Sequence, residues 1–530
     1  MAAVLTFDKT SEKRTEEIVS YNPATGAEIG RVRNANREAV FVAVEKARAA
    51  FKTWRVTSFA ERKRIVLQAR DVILSEMDEI ARLISEEMGK PVAEAFSTEI
   101  APVLDLMQYF ARNTQKLLKP EKINIGQLAF LGRSSRIVYQ PLGVVGIISP
   151  WNYPLAIPLG EVTMALMSGN SVVLKPSELT PFVGLKIGEV FQKAGLPENV
   201  LQIITGDGRT GASLVEAGVN KIMFTGSVVT GKKIAEAAAK TLTPVVLELG
   251  GKDPMIVLED ANLETAAQAA VWGAFANSGQ TCASVERLYV HEKIAPEFIE
   301  RVVELTKKLR QNVGIENDTE IGSMVSQKQL ETVENHVSDA RENGAQILTG
   351  GKRNENFSGA FYEPTVLTNV DHSFRAIQEE TFGPTLPIMT FKTEDEAVKL
   401  ANDSEFGLTA SVWTKNIEKG KRIAEKIEAG TITVNEVVYT HGVAQTPWGG
   451  VKNSGYGRTH GKMGLMELVT AQHIHVNRVT QIPDVWWFNY SPDAVNLFRG
   501  LARHFAAGSL FRTARVLPQM LKRIKEHRRK

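Results

Sequence analysis

The sequence predicts an α/β protein built from two doubly wound, largely parallel sheets in series. Three observations carry this: a length of 530 residues, a helical opening followed by short apolar runs alternating with amphipathic stretches, and a second round of that alternation after Gly250. A chain this long exceeds one hydrophobic core and divides into several domains. With 43% hydrophobic and 23% charged residues, its composition excludes disordered and collagen-like classes.

The elements follow in order. From Asn36 to about Glu99, apolar residues recur at helical spacing, as in Val40, Val44 and Ala47, and later Ile73, Met77, Ile80 and Leu83. From Arg136 the texture changes to short apolar runs closed by turns: Arg136–Gln140, Gly143–Ile148, Ser171–Lys175, Leu201–Ile204, Ile222–Phe224 and Pro244–Leu247. Amphipathic stretches at Val183–Ala194 and Gly211–Ala217 separate them, the alternation of a parallel sheet covered on both faces. Such a sheet is a natural nucleotide binder. The second series comprises Met255–Leu258, a helix over Leu263–Asn277, then Arg287–Val290, Ala345–Leu348, Leu386–Met389, Thr409–Trp413 and Thr431–Val434. No internal repeat with a period of about twenty to fifty residues is present.

Charge and cysteine usage narrow the function. The formal net charge is +3, but residues 481–530 hold ten Lys/Arg against three Asp/Glu, so the body is mildly acidic and the tail basic. That balance argues against nucleic acid as the main ligand and reserves anionic surfaces for the C-terminus. One cysteine excludes an internal disulfide and multi-cysteine metal sites, and suits a reducing compartment. Met1–Thr15 has no apolar signal region, and no run of eighteen apolar residues occurs, so a cytoplasmic, non-spanning protein is expected.

Two glycine patterns suggest nucleotide binding. Gly206-Asp-Gly208-Arg-Thr-Gly211 matches G-x-G-x-x-G after a strand, but the next strand ends without the acidic residue that would hold a ribose. Gly226-Ser-Val-Val-Thr-Gly231-Lys232-Lys233 falls one residue short of a P-loop, since Lys233 stands where a hydroxyl would hold magnesium; an NTPase is the reading it offers. Either way, a strand ending in Thr-Gly-Ser before a helix presents free N–H groups to a phosphate.

The sole cysteine lies in Asn277-Ser-Gly-Gln-Thr-Cys282. A lone cysteine is more often a packing thiol, yet a turn of small polar residues after a helix ended by Gly279 can present sulfur to a cleft, where a lowered pKa makes it nucleophilic. Glu248, at the end of an apolar strand, is a candidate base because desolvation raises a carboxyl pKa; the alternative is a salt bridge to Lys252. Asn152, between two prolines in Ser149-Pro-Trp-Asn-Tyr-Pro154, can donate its amide to an oxyanion or simply complete a turn. The nine histidines form no ligand spacing, with His460 isolated beside Thr459, so no metal is expected.

Taken together, these segments resemble the aldehyde dehydrogenase superfamily, in order along residues 20–475. Further matching pieces are Lys175-Pro-Ser-Glu178, Phe224-Thr-Gly-Ser227, Glu248-Leu-Gly-Gly251, Gly279-Gln-Thr-Cys282, Glu379-Glu-Thr-Phe-Gly-Pro384 and Pro447-Trp-Gly-Gly450. The resemblance implies oxidation of an aldehyde to a carboxylic acid with NAD, NADP being possible for some relatives. Cys282 would form a thiohemiacetal and then a thioester, Asn152 would stabilise its oxyanion, and Glu248 would activate the hydrolytic water. Lys175 and Glu178 would bind the adenosine ribose, Ser227 and Trp151 the pyrophosphate, and Glu380 and Phe382 the nicotinamide ribose and ring. Phe224, Gly226, Gly231 and Leu249 would complete the cofactor set. Residues 1–122 and 142–249 would form the NAD-binding domain and 250–450 the catalytic domain. Residues 123–141 and 451–480 would form a small β oligomerisation element, implying a homodimer or homotetramer. Asn435 and Pro447–Gly450 would approach the active-site end.

One departure is informative. Asn453-Ser-Gly-Tyr-Gly-Arg-Thr-His-Gly-Lys462 carries His-Gly-Lys where many soluble members have an acidic residue after the arginine, and so looks more like the fatty-aldehyde branch. Medium- to long-chain aliphatic aldehydes are therefore the expected substrates, with succinic or another short semialdehyde as the alternative; a scaffold that has lost its chemistry is disfavoured by intact Cys282, Glu248 and Asn152. The basic extension 481–530 opens with the aromatic cluster Pro483–Pro492. It continues with Ala494, Leu497, Phe498, Leu501 and Phe505, then Leu510, Ala514, Leu517, Leu521 and Ile524, interrupted by Pro518. Aromatic, amphipathic and basic together describe a peripheral contact with a membrane's cytoplasmic face, or else an extension packed on a partner subunit.

Overall fold

The computed structural model describes residues 16–316, 318–488, 490–505, 511 and 514–528. Met1–Thr15 and Leu510 lie outside the described residues. The chain divides into two compact units, one reaching to Leu117 and resuming over Pro141–Val469, the other comprising Leu118–Gln140 and the chain from Thr470.

The first unit holds two large sheets. A six-stranded sheet runs in the order Gly455–Tyr456, Val245–Glu248, Lys221–Thr225, Val144–Ile148, Ser171–Lys175, Leu201–Ile203, parallel except for its first member. A seven-stranded sheet runs Gln346–Thr349, Thr365–Thr368, Thr385–Phe391, Val285–His291, Asp253–Val257, Thr409–Trp413, Thr431–Val434, again parallel except for the first. Val144–Ile148, Ser171–Lys175 and Asp253–Val257 are buried at every residue, which is why they read as continuous apolar runs. Helices capped by Asn36, Ser58, Asp207, Ser227 and Asn262 cover the sheets, each cap accepting a first-turn N–H. The helical opening contains one π-helical turn, Ala95–Ile100, before Ala101–Leu117.

The second unit contains a three-stranded sheet of Val469–Asn477, Arg133–Pro141 and Glu121–Ile123, followed by helices Pro492–Phe505 and Leu517–Arg528. Two tail expectations need correction. Part of the predicted stripe is spent inside the unit: Leu497 is buried with Val485 and Val516, while Phe498, Leu501 and Ile524 pack against that cluster. Pro518 does not interrupt a helix but stands in the first turn of one, where its missing N–H costs nothing. Trp487, Phe488 and Tyr490 remain exposed. Among the described residues, no helix is long and apolar enough to cross a membrane.

Candidate active site

Open parallel sheets bind ligands beyond the carboxyl ends of their strands, and the six-stranded sheet places its candidate residues there. Trp151 and Asn152 follow Val144–Ile148, Lys175 ends its strand with Glu178 just beyond, Gly226 and Ser227 follow Lys221–Thr225, and Glu248 ends Val245–Glu248. Cys282 comes instead from the amino end of the other sheet, just before Val285–His291.

The turn that presents Cys282 differs from expectation. The helix runs over Leu263–Phe275 rather than to Asn277, because Asn277 and Ser278 adopt left-handed φ of 55° each and Gly279 follows at 73°. Outside partners hold these conformations: Asn277 N–H donates to Glu94 Oε2 at 2.9 Å, and Ser278 Oγ donates to Gly322 O at 3.0 Å. A Cβ on Gly279 would stand 2.1 Å from Gly383 O, so only glycine fits.

A cleft of about 240 Å³ brings together Trp151, Asn152, Gly226, Ser227, Glu248, Leu249, Cys282, Glu380 and Phe382. The Trp151 and Phe382 rings meet edge to face, 5.3 Å between centroids. Glu380 accepts the Gly251 N–H at 2.9 Å, and a Cβ on Gly250 would come within 2.4 Å of its carboxylate. Burial, then nearby Glu286, pushes the Glu380 carboxyl up to about 8. The remaining cofactor candidates lie outside this cleft. Lys175 pairs with Glu178 at 2.9 Å, and Glu178 borders a separate cleft of about 310 Å³. The Phe224 ring packs under Gly226, and Gly231 packs against Leu249.

These walls fit a dinucleotide. Ser227 caps the helix Val228–Ala239, whose remaining first-turn N–H groups suit a pyrophosphate. The near-P-loop does not form one: the helix begins at Val228, so Lys232 and Lys233 sit within it and are exposed. At the other glycine pattern, Asp207 supplies the anion itself, accepting from Arg209 N at 2.8 Å. Partial burial opposes its charge, but hydrogen bonds from Arg209 and Asn34 prevail and hold it at about 2.

Glu248 is buried, and neither carboxylate oxygen has a hydrogen-bond partner. Burial, then the neighbouring Glu161, raises its pKa well above the usual value, with Arg458 opposing. The alternative salt bridge is not made, because Lys252 pairs with Glu286. The expectation of a lowered thiol pKa is overturned: burial, then the carboxylates of Asp253, Glu380 and Glu248, pushes the Cys282 thiol up. The resting sulfur is therefore a thiol and needs a base at the moment of attack.

Behind Cys282 and Glu248 lies a second, much smaller pocket of about 20 Å³, lined also by Ile157, Glu161, Leu408, His441, Trp448 and His460. Burial raises the Glu161 carboxyl to about 8 and lowers His441 to about 4. His441 stands 4.7 Å from the His460 ring and 5.1 Å from the Trp448 ring. His460 is thus not isolated; beyond Cys282, Glu248 and Leu249, the pocket residues with a sequence signal include Trp448, through Pro447–Gly450, and His460, through the His-Gly-Lys segment. Asn435 does not line either cavity; its side chain bonds the Thr414 backbone at 2.9 Å in both directions. Among the described residues, no group of three or more His, Cys, Asp or Glu could hold a metal ion.

Comparison with known proteins places these features. The model of the aldehyde dehydrogenase family matches residues 9–474. The chain is 38% identical over 483 residues to the 4,4'-diapolycopene aldehyde oxidase of a Methylomonas species, spanning 91% of this chain and 90% of that protein. It is 38% identical to betaine aldehyde dehydrogenase of Bacillus subtilis, spanning 88% of this chain and 95% of that one. The crystal structure of an NAD-dependent aldehyde dehydrogenase from Sinorhizobium meliloti matches with a TM-score of 0.85 at 39% identity, over 89% of this chain and 93% of that one.

Proposed function

The chain belongs to the aldehyde dehydrogenase family, and from that premise we propose that it oxidises apolar, medium- to long-chain aliphatic aldehydes through a thioester on Cys282. Oxidation of an aldehyde with NAD or NADP is the family's reaction. Cys282 attacks the carbonyl carbon while Glu248 takes the thiol proton, which the raised thiol pKa makes necessary. The Asn152 amide and the Cys282 N–H stabilise the oxyanion. A nicotinamide cofactor held in the cleft would supply the hydride acceptor that converts the thiohemiacetal into the thioester. Once it has released the thiol proton to solvent, Glu248 removes a proton from water as the water oxygen adds to the thioester carbon; the C–S bond then breaks, the acid leaves, and Glu248 returns its proton to the sulfur. Trp151, Ser227, Leu249, Glu380 and Phe382 would hold the cofactor, with Phe224, Gly226 and Gly231 completing the set. Lys175 and Glu178 take the adenosine ribose; the Glu178 carboxylate disfavours a 2′-phosphate and hence NADP.

One observation supports an apolar reacting end, while the rest of a longer chain would extend beyond this pocket of about 20 Å³. The pocket behind Cys282 presents Ile157, Leu408 and Trp448, and neither cavity at the thiol is lined by lysine or arginine. Arg458 is committed to the carbonyls of Gly450 and Gly457 at 3.0 and 2.6 Å. A semialdehyde carboxylate would find no fixed cation there. A relative named for 4,4'-diapolycopene aldehyde is in keeping with this reading. The test is NAD and NADP reduction with saturated aldehydes of increasing length and with succinic semialdehyde. We expect kcat/KM to rise by up to about fourfold per methylene; activity confined to the semialdehyde would sink the apolar reading and leave the mechanism standing.

The exposed Trp487, Phe488 and Tyr490, beside a basic tail, support peripheral contact with an anionic bilayer from which such aldehydes would be collected. Sedimentation with phosphatidylglycerol vesicles should carry down the full chain but not a Trp487→Ser, Phe488→Ser, Tyr490→Ser variant; equal sedimentation removes the contact. The exposed strand Val469–Asn477 is the candidate edge for a homodimer or homotetramer, which native mass spectrometry reads directly.

A further inference from the structure

An amide side chain stabilises an oxyanion only if the peptide that bears it is fixed. The Asn152 carbonyl is held by two donors from distant segments: Lys90 Nζ at 2.8 Å and Asn277 Nδ2 at 3.0 Å. Lys90 is fully buried, pairs with Glu99 Oε1 at 2.7 Å, and stands 4.1 Å from the centre of the Tyr153 ring. The other Glu99 oxygen accepts the N–H groups of Leu155 at 2.8 Å and Ala156 at 3.2 Å. These open the helix Ala156–Met167, which has no side-chain cap of its own.

Glu99 sits in the π-helical turn Ala95–Ile100, a departure from α geometry that often marks functional positions. Glu94, just before that turn, fixes the Asn277 N–H, so the turn presenting Cys282 and the loop bearing Asn152 share one set of anchors. Neither Lys90 nor Glu99 lines a cavity at Cys282. A buried ion pair is a weak source of stability, since desolvation offsets its attraction; its more specific effect here is on geometry.

We propose that Lys90, seated on Glu99 and joined by Asn277, is a positioning residue that pins the Asn152 carbonyl and thereby aims the Asn152 amide at the oxyanion formed on Cys282. This rests on the reading of Asn152 as oxyanion donor. The test is a double-mutant cycle in the full chain, with alkylation of Cys282 by iodoacetamide as a check on the cysteine turn; as the only thiol, it reports without ambiguity.

Asn152→Ala should lower kcat/KM by ~10²–10³-fold, and Lys90→Met by ~10²-fold, the effect of a displaced catalytic group. In the Asn152→Ala background, Lys90→Met should cost no more than ~2-fold, because the two changes remove the same contribution. Alkylation rates should stay within ~2-fold of the parent. A Lys90→Met loss that persists undiminished without Asn152 overturns the clamp alone, as does full activity of Lys90→Met. Full activity of Asn152→Ala removes the oxyanion reading itself, and the clamp with it. Should Lys90→Met fail to fold, Asn277→Gly removes the second donor while keeping the left-handed backbone, and the same cycle decides the question through it.

Discussion

The two sides of Cys282 differ in size, polarity and origin. On one side, a cleft of about 240 Å³ takes its walls mostly from loops that leave the carboxyl ends of parallel strands, among them Trp151, Ser227 and Glu248. On the other, a pocket of about 20 Å³ is assembled from a helix face carrying Ile157 and Glu161, the turn Tyr439–Gly442, and the segment around Trp448 and His460. The difference teaches how one sulfur can serve two ligands. The open side supplies backbone N–H groups and a helix end for a long, charged cofactor. The closed side supplies apolar surface and carboxyl groups kept neutral by burial, for a small reacting end and its protons.

Removing the feature common to both sides gives the largest effect. Cys282→Ala should abolish aldehyde oxidation, a loss of ~10⁴-fold or more, read as cofactor reduction at saturating substrate; appreciable residual turnover would detach the sulfur from the chemistry. Next comes the group that also borders both cavities. Glu248→Gln should lower the steady-state rate by ~10²–10⁴-fold, the usual worth of a general base. Stopped-flow mixing should still find a burst of reduced cofactor, slowed but close to one per site, because hydrolysis suffers more than hydride transfer. Loss of burst and steady state in equal measure would confine Glu248 to the first half of the reaction.

The closed side alone is altered by Trp448→Ala. Opening the apolar wall should change the ratio of kcat/KM for long and short aldehydes by about tenfold, the worth of a few methylenes in a pocket, while the KM for NAD stays put; a shift in the latter would blur the division between the two sides. The smallest effect is expected from Glu161→Gln. As pH rises through about 8, Glu161 ionises and its charge opposes that of Glu248. The variant lacks that opposition, so its rate should reach its plateau at lower pH. The stability sign follows from the same raised pKa. The folded state retains the Glu161 proton between the ordinary carboxylate range and about 8, so wild-type stability declines as pH rises through that window. The variant's thermal midpoint should therefore decline less between pH 6 and 9; a parallel decline would mean that Glu161 is solvated.

Legibility in the sequence followed the same division. Strands buried on both faces announce themselves as apolar runs, and the loops after them as glycine, proline and capping residues, so Asn152, Ser227 and Glu248 were readable. The antiparallel edge strand Gln346–Thr349 and its neighbour Thr365–Thr368 are equally short but differ in how they read: the first was found, and the second, which has only Val366 and Leu367 between two threonines, was missed. Glu161, His441, Lys90 and Glu99 were invisible for a different reason. Each is a single polar residue in an ordinary helix or turn, and its significance arises only from burial against segments far away in sequence. The thiol was located from its turn, but its ionisation was not, because the carboxylates of Asp253 and Glu380 reach it only through the fold.

The solitary cysteine has a consequence for oxidative chemistry. A sulfenic acid formed on Cys282 has no second cysteine in the chain with which to close a disulfide, so nothing internal intercepts its passage to the irreversible sulfinic state. The same burial that keeps the sulfur protonated also withholds the thiolate on which peroxides act. Resistance to oxidant at rest and vulnerability during turnover are thus two faces of one electrostatic arrangement.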